Sequence, residues 1–216
     1  MNTDKSIAVL GLGKYGQSLA EKLYRMGADV LVADQDRGLI NDFADRCTSA
    51  VCADLANEDE VLSLGLKNMD IVVAAMGHNL AASIMSVAVA KEQGVPLVVA
   101  KSSSDRMSSI LLKVGADKIL DPEGEGGKRS ARILLSSSFK DYFELDSNLY
   151  MIELSPEKDW LGRAPEELNL RRTRNMHIVA VKEKGMLWHI LDPKKPLDED
   201  CTLLVVMEKK DLERWN

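Results

Sequence analysis

The stretch IAVLGLGKYG, Ile7 to Gly16, sets an apolar, β-branched run directly against three glycines, Gly11, Gly13 and Gly16. Their spacing is G-x-G-x-x-G. It follows a strand candidate and opens a helical segment, the context in which this motif binds a phosphate. Gly11 permits the tight turn, Gly13 lets the backbone approach a phosphate, and Gly16 lets the helix pack close to the sheet while its N-terminal amides face the anion. The next strand candidate ends in VLVADQD, placing Asp34 18 residues after Gly16, where a ribose-binding acid belongs. A plain glycine turn with a capping aspartate is the alternative. An acid at Asp34 accepts hydrogen bonds from both ribose hydroxyls and repels a 2′-phosphate, which argues against NADP. It does not separate NAD from ATP or ADP, since each carries an adenosine ribose.

Working outward, short apolar runs alternate with helical segments over the first 120 residues or so. The strand candidates are Ser6–Leu10, Asp29–Ala33, Ala50–Cys52, Asp70–Ala75, Leu97–Ala100 and Lys118–Leu120. Leu19, Leu23 and Met26 recur at helical spacing, with Gly27 where a helix ends. Similar helices fit Arg37–Asp45, Asn57–Leu64, Leu80–Gln93 and Asp105–Val114, the last two stopping at Gly94 and Gly115. Strands with little polar alternation between helices imply a parallel sheet covered on both faces, and right-handed crossovers make it a Rossmann-like, doubly wound α/β fold.

After Leu120 the pattern changes. DPEGEGGKRSARILLSSSFKDYFELD reads as a loop and then a helix to about Phe143, with Pro122 suited to its start. Strand-like runs follow at Leu149–Leu154, His177–Lys182, Met186–Ile190 and Thr202–Glu208, with EKGM as a hairpin turn. Ala164–Leu168 and the terminal KKDLERW read as short helices. The expected division is therefore residues 1–145 for the Rossmann-like domain and 146–216 for a small α+β domain.

Composition narrows the function. The 216 residues are 45% hydrophobic and 29% charged, enough for a sizeable core. Only 5% are aromatic and the net charge is −6, which argues against stacking on single-stranded nucleic acid and against a broad phosphate-backbone footprint. Cys47, Cys52 and Cys201 are odd in number and form no CxxC, as reduced thiols would be. The chain opens without a secretory signal, and its longest near-apolar stretch, Leu80 to Ala90, is too short to cross a bilayer. A soluble, cytoplasmic protein is expected, reaching a membrane only through a partner.

Further residues fall at the carboxyl ends of the strand candidates. Asp54, in CADLAN, either reads the adenine edge or caps the helix beginning near Asn57. Met76, Gly77 and His78, in AAMGHN, stand over the same crevice; a lone loop histidine is more often a surface residue than a catalyst. Lys101 either reaches phosphates or is a solvated strand-end lysine. Glu123, in LDPEG, is either a metal ligand or a helix N-terminal acid. GEGGKRS is no phosphate loop, because Pro122 and Arg129 occupy positions that require Gly and Ser or Thr. Arg171, Arg172 and Arg174 form a charge run that either grips an anion or is simply solvated. Trp160, Trp188 and Trp215 read as core or interface. A dehydrogenase needs a general acid or base beside the cofactor, and no Ser–His–Asp, Cys–His or metal-ligand set emerges. The small NAD-dependent oxidoreductase is thus the alternative to a sensor.

IAVLGLGKYG, VLVADQD, VLSLGLKNMD, VVAAMGHN and KVGADKILDPE, with the small domain after them, resemble the regulatory subunits of Trk/Ktr-type potassium uptake systems over essentially the entire chain. Those proteins have N- and C-terminal RCK (regulator of potassium conductance) domains, and GADKILDPE carries the most specific part of the likeness. The resemblance implies a non-enzymatic, homo-oligomeric ring, commonly an octamer built from dimers, docked on the cytoplasmic face of a membrane potassium-translocating subunit. It implies ATP and ADP, or NADH and NAD, as ligands that favour different ring shapes. The implied contacts are Gly11, Gly13, Lys14, Tyr15, Gly16, Asp34, Gln35, Asp36, Asp54, Leu55, Met76, Gly77, His78, Lys101 and Glu123. It further implies a cation such as Mg²⁺ at Glu123, a dimer contact on the crossover helix after it, and in some relatives cyclic di-AMP in the small domain, near Arg171 and Asn175.

Overall fold

The computed structural model describes residues 5–135 and 139–212. The chain divides into two compact units, Met1–Gly124 and Glu125–Asn216. In the first, strands β1 (Ser6–Leu10), β2 (Asp29–Asp34), β3 (Ser49–Cys52), β4 (Ile71–Ala74), β5 (Leu97–Lys101) and β6 (Lys118–Leu120) alternate with helices α1 (Lys14–Arg25), α2 (Arg37–Phe43), α3 (Glu58–Ser63), α4 (Leu80–Glu92) and α5 (Asp105–Val114). The strands pair in the order β3-β2-β1-β4-β5-β6, and every pairing is parallel. The direction of winding reverses between β1 and β4, so a crevice opens at their carboxyl ends, where such folds bind ligands.

Alternation along each strand explains how both faces are covered. Ala8 and Leu10 of β1 join one apolar cluster with α4 and α5, while Ile7 and Val9 join the other with α1 and α2. β2 divides the same way, Leu31 and Ala33 against Val30 and Val32. Full burial of each such aliphatic side chain contributes about 1.5–3 kcal/mol. Side-chain caps at Asp36, Asn57, Asn79 and Ser104 start α2, α3, α4 and α5, each worth about 1 kcal/mol.

One polar tie fixes the β5–β6 edge. Asp117 accepts the Val98 backbone N–H at 2.7 Å and pairs with Lys91 at 3.0 Å. These bonds hold its carboxyl below the ordinary carboxylate range. A depressed folded value means the contribution is present above the unfolded pKa, about 3.9, and is lost as pH falls through the lower folded value. Thermal melts of Asp117→Asn across pH 2–7 are therefore expected to show lower stability near neutrality and a flatter acid limb than the parent protein.

Helix α6 (Pro122–Leu135) starts at Pro122 as expected but stops well before Phe143. Residues 139–144 instead form β7 (Phe139–Glu144), an antiparallel partner of β8 (Leu149–Leu154). Three consecutive serines are weak helix formers and the aromatics after them favour strands, so the helical reading ran too far. The second unit continues with α7 (Pro165–Leu168), α8 (Leu170–Thr173), β9 (His177–Lys182), β10 (His189–Ile190), β11 (Thr202–Glu208) and α9 (Lys209–Leu212). Its sheet runs β10-β9-β11-β8-β7. Tyr150, Ile152 and Leu154 point alternately from β8 into a core with Trp160, Leu203 and Val205. The EKGM turn forms, closed by Met186 N–H to Glu183 O at 3.0 Å. The strand expected over Met186–Ile190 shortens to β10, because pairing with β9 begins only at His189. Trp215, in the terminal KKDLERW, lies outside the described residues.

Candidate nucleotide-binding site

The glycine loop is built by contacts no side chain could replace. Gly11 adopts φ +99° and donates its N–H to Ala33 O at 2.8 Å. A Cβ on Gly16 would lie 1.9 Å from the Gly11 carbonyl oxygen, so only glycine lets α1 sit this close to the loop. Gly13, the N-cap of α1, faces open space: nothing stands within 4 Å of where its Cβ would be. That is the arrangement a phosphate needs, an exposed loop backbone at a helix N-terminus. Leu12 between them is fully buried and anchors the loop.

Asp34 ends β2 and does two things at once. Its Oδ2 accepts the Leu12 N–H at 2.6 Å and its Oδ1 accepts the Asp36 N–H at 2.9 Å. Both oxygens are thus held in place, and each retains further acceptor capacity. Asp34, Gln35, Asp54, Leu55 and Met76 line one cleft, joined by Asn79 and Ala82, which the sequence reading did not single out. Asn79 was legible as a polar residue just before a helix; its Oδ1 accepts the Ala82 N–H at 3.1 Å. Asp54 closes its own turn, accepting the Ala56 N–H at 2.9 Å, whereas the cap of α3 is Asn57. Asp36 spends its carboxylate on the start of α2, accepting from Gly38 at 2.7 Å and Leu39 at 3.2 Å. Lys14 and His78 are exposed.

Lys101 departs from the solvated strand-end reading. The residue is only 6% accessible, and its Nζ lies 2.5 Å from Glu123 Oε1 and 5.7 Å above the Tyr15 ring. Gly77 makes the room: a Cβ there would come within 2.9 Å of the ammonium. Tyr15 belongs to the first turn of α1, so the charge stands beside the anion-facing end of that helix. Lys101 in turn holds the Glu123 carboxyl below the ordinary range through their hydrogen bond. Among the described residues no three His, Cys, Asp or Glu side chains are grouped to hold a metal ion.

In the second unit Arg171 lines a groove with Asn169, Leu170, His177 and Pro193. Asn175, at φ +50°, gives its side chain to Asp211 at 2.7 Å, and Arg174 pairs with Glu157 at 3.2 Å. Among the described residues no helix is long and apolar enough to cross a membrane.

The family model of the TrkA-N domain matches residues 7–122. The chain is 32% identical over 212 residues to Ktr system potassium uptake protein A of Bacillus subtilis (strain 168), covering 98% of this chain and 96% of that one. It is also 32% identical over 213 residues to Ktr system potassium uptake protein C of the same organism, with the same coverage. Among solved structures, the GsuK RCK domain superposes with a TM-score of 0.68 at 16% identity over 98% of this chain, which spans 47% of that chain and so shares its fold. Likeness along both units, and not in the nucleotide fold alone, decides the assignment: the chain belongs to the Ktr potassium uptake protein family and carries its TrkA-N domain.

Proposed function

We propose that this chain is the cytoplasmic, nucleotide-sensing regulatory subunit of a Trk/Ktr-type potassium uptake system, and not an enzyme. The observation that carries the reading is the full-length likeness to two Ktr potassium uptake proteins, supported by a cleft lined by Asp34, Gln35, Asp54, Leu55 and Met76 beside the glycine loop. In that crevice the Gly13 amide and the first turn of α1 receive the inner phosphates, Asp34 receives the ribose hydroxyls, and Leu55 and Met76 flank the base. Lys101 receives the outer phosphate. ATP and ADP, or NADH and NAD, then bias two shapes of a homo-oligomeric ring docked on the membrane potassium-translocating subunit. A ligand of equal affinity for both shapes shifts nothing, so the two nucleotides must differ, each tenfold of bias requiring about 1.4 kcal/mol. The groove at Arg171 offers an apolar floor and a cation to a second, phosphodiester ligand of the cyclic di-AMP kind.

Calorimetric titration of nucleotide-free protein with ATP, ADP, NAD, NADH and cyclic di-AMP, with and without Mg²⁺, tests the ligand. Pull-down on a Trk/Ktr-type membrane subunit under each nucleotide tests the partner. Adenine nucleotides are expected to bind and to change retention on the membrane subunit. Absence of both effects would overturn this reading, and substrate-dependent turnover of NAD would instead favour the small oxidoreductase.

A further inference from the structure

We infer that Gln17 is the positioning residue of the glycine loop: its side chain and its own backbone N–H hold two consecutive carbonyls, and so aim the Gly13 and Lys14 N–H groups at the ligand's phosphates. The inference rests on the nucleotide reading above and adds what sets the loop as an anion receptor before any ligand arrives.

The need for such a lock comes from Gly13 itself. Its open side admits a phosphate, but a glycine also crosses to positive φ at little cost. The Leu12–Gly13 peptide can therefore turn over by changing ψ of Leu12 and φ of Gly13. Turned over, it presents the Leu12 carbonyl oxygen to the anion in place of the Gly13 N–H, and attraction becomes repulsion. The φ of −61° at Gly13 is thus one of two orientations that this residue by itself tolerates.

Gln17 chooses between them. Its Nε2 donates to Leu12 O at 2.8 Å, and its backbone N–H donates to Gly13 O at 2.9 Å. No peptide of the described residues is cis, so the C=O and N–H of each unit point in opposite directions. With both carbonyls turned onto Gln17, the Gly13 and Lys14 N–H groups point away from it, and they belong to the donors that the start of a helix leaves open. Asp34 sets the peptide before them, since its Oδ2 accepts the Leu12 N–H at 2.6 Å. Three successive units of the loop are thus fixed, the first by Asp34 and the next two by Gln17. The backbone bond of Gln17 is the ordinary first bond of a helix, which any residue but proline supplies. The side-chain bond needs a donor of this reach at this position. Replacing the side chain therefore frees the Leu12–Gly13 unit alone.

Calorimetric affinities for ADP, AMP and adenosine in the parent protein, Gln17→Met and Gln17→Leu test the inference. Both substitutions keep a helix-forming side chain of similar size and remove the donor. Both variants are expected to melt within about 4 °C of the parent and to bind ADP and AMP roughly tenfold more weakly, the size of one charge-assisted hydrogen bond. Adenosine is expected to bind as in the parent, because its ribose meets Asp34 and not the freed peptide. A loop that merely collapsed would loosen the bond from Leu12 to Asp34 as well and weaken all three ligands alike. Parental ADP and AMP affinity in the two variants would overturn the inference, as would a loss for adenosine equal to that for ADP. Either result with a parent protein that binds ADP leaves the nucleotide reading standing, and a parent protein that binds none of the three overturns both.

Discussion

Gly16→Ala is expected to lower the melting temperature of the protein by roughly 10 °C, whereas Gly13→Ala moves it by no more than about 2 °C and instead removes nucleotide affinity. The two glycines are three positions apart in one motif, yet they meet different surroundings. A methyl on Gly16 would sit 1.9 Å from Gly11 O and 3.0 Å from Gly11 C, both backbone atoms. The loop cannot yield, because Gly11 N–H is bonded to Ala33 O at 2.8 Å and Met76 Sδ stands 2.7 Å from the place of a Gly11 Cβ. Helix α1 must then lift, loosening Ala20, Leu19 and Leu23 from their apolar cluster. Overpacking against fixed backbone costs about 3 kcal/mol or more. Gly13 has φ −61° and open space, so alanine fits the fold, but its methyl occupies the approach of a phosphate. Calorimetric and thermal scans of both variants check the contrast. A Gly13→Ala protein with parental nucleotide affinity would move the phosphate elsewhere.

Asp34→Ala is expected to weaken adenine nucleotides by roughly a hundredfold, the loss of two charge-assisted hydrogen bonds to the ribose. It also costs stability, since Oδ2 ties Leu12 N–H at 2.6 Å and Oδ1 ties Asp36 N–H at 2.9 Å. Removing the acceptor leaves the Leu12 donor unsatisfied within a closed loop, at about 1–3 kcal/mol. Asn57→Ala separates the two effects. It deletes the α3 cap, whose Oδ1 accepts Asp59 N–H at 3.0 Å, and costs about 1 kcal/mol through a side chain that is not among those lining the cleft. Affinity that falls equally in both variants would mark Asp34 as a structural residue only.

Much of this site was legible as a string of residues. The glycine spacing, the acid at Asp34 and the strand-end positions of Asp54, Met76 and Lys101 follow from local pattern, because a parallel α/β unit places the residue after each strand on one rim. Asn79 is signalled only as a helix cap, by its place before α4. The pairing of Lys101 with Glu123 was not legible: the two are 22 residues apart, and only the adjacency of β5 to the start of α6 brings them together. The second task of Asp34, holding the loop that it serves, was hidden for the same reason, as Leu12 lies 22 positions away.

Strand β7 shows the limit from the other side. Its residues continue a helical segment without punctuation by Gly or Pro, and its strand state depends on a partner, β8, reached across a turn. Local preference decided the helices, their caps and the alternating faces of the inner strands, since each of those is settled within a few residues. Which strand neighbours which, which acid meets which lysine, and which glycine has no room were decided by tertiary packing. Those are contacts between distant segments, whose energies are counted only once the chain has closed on itself.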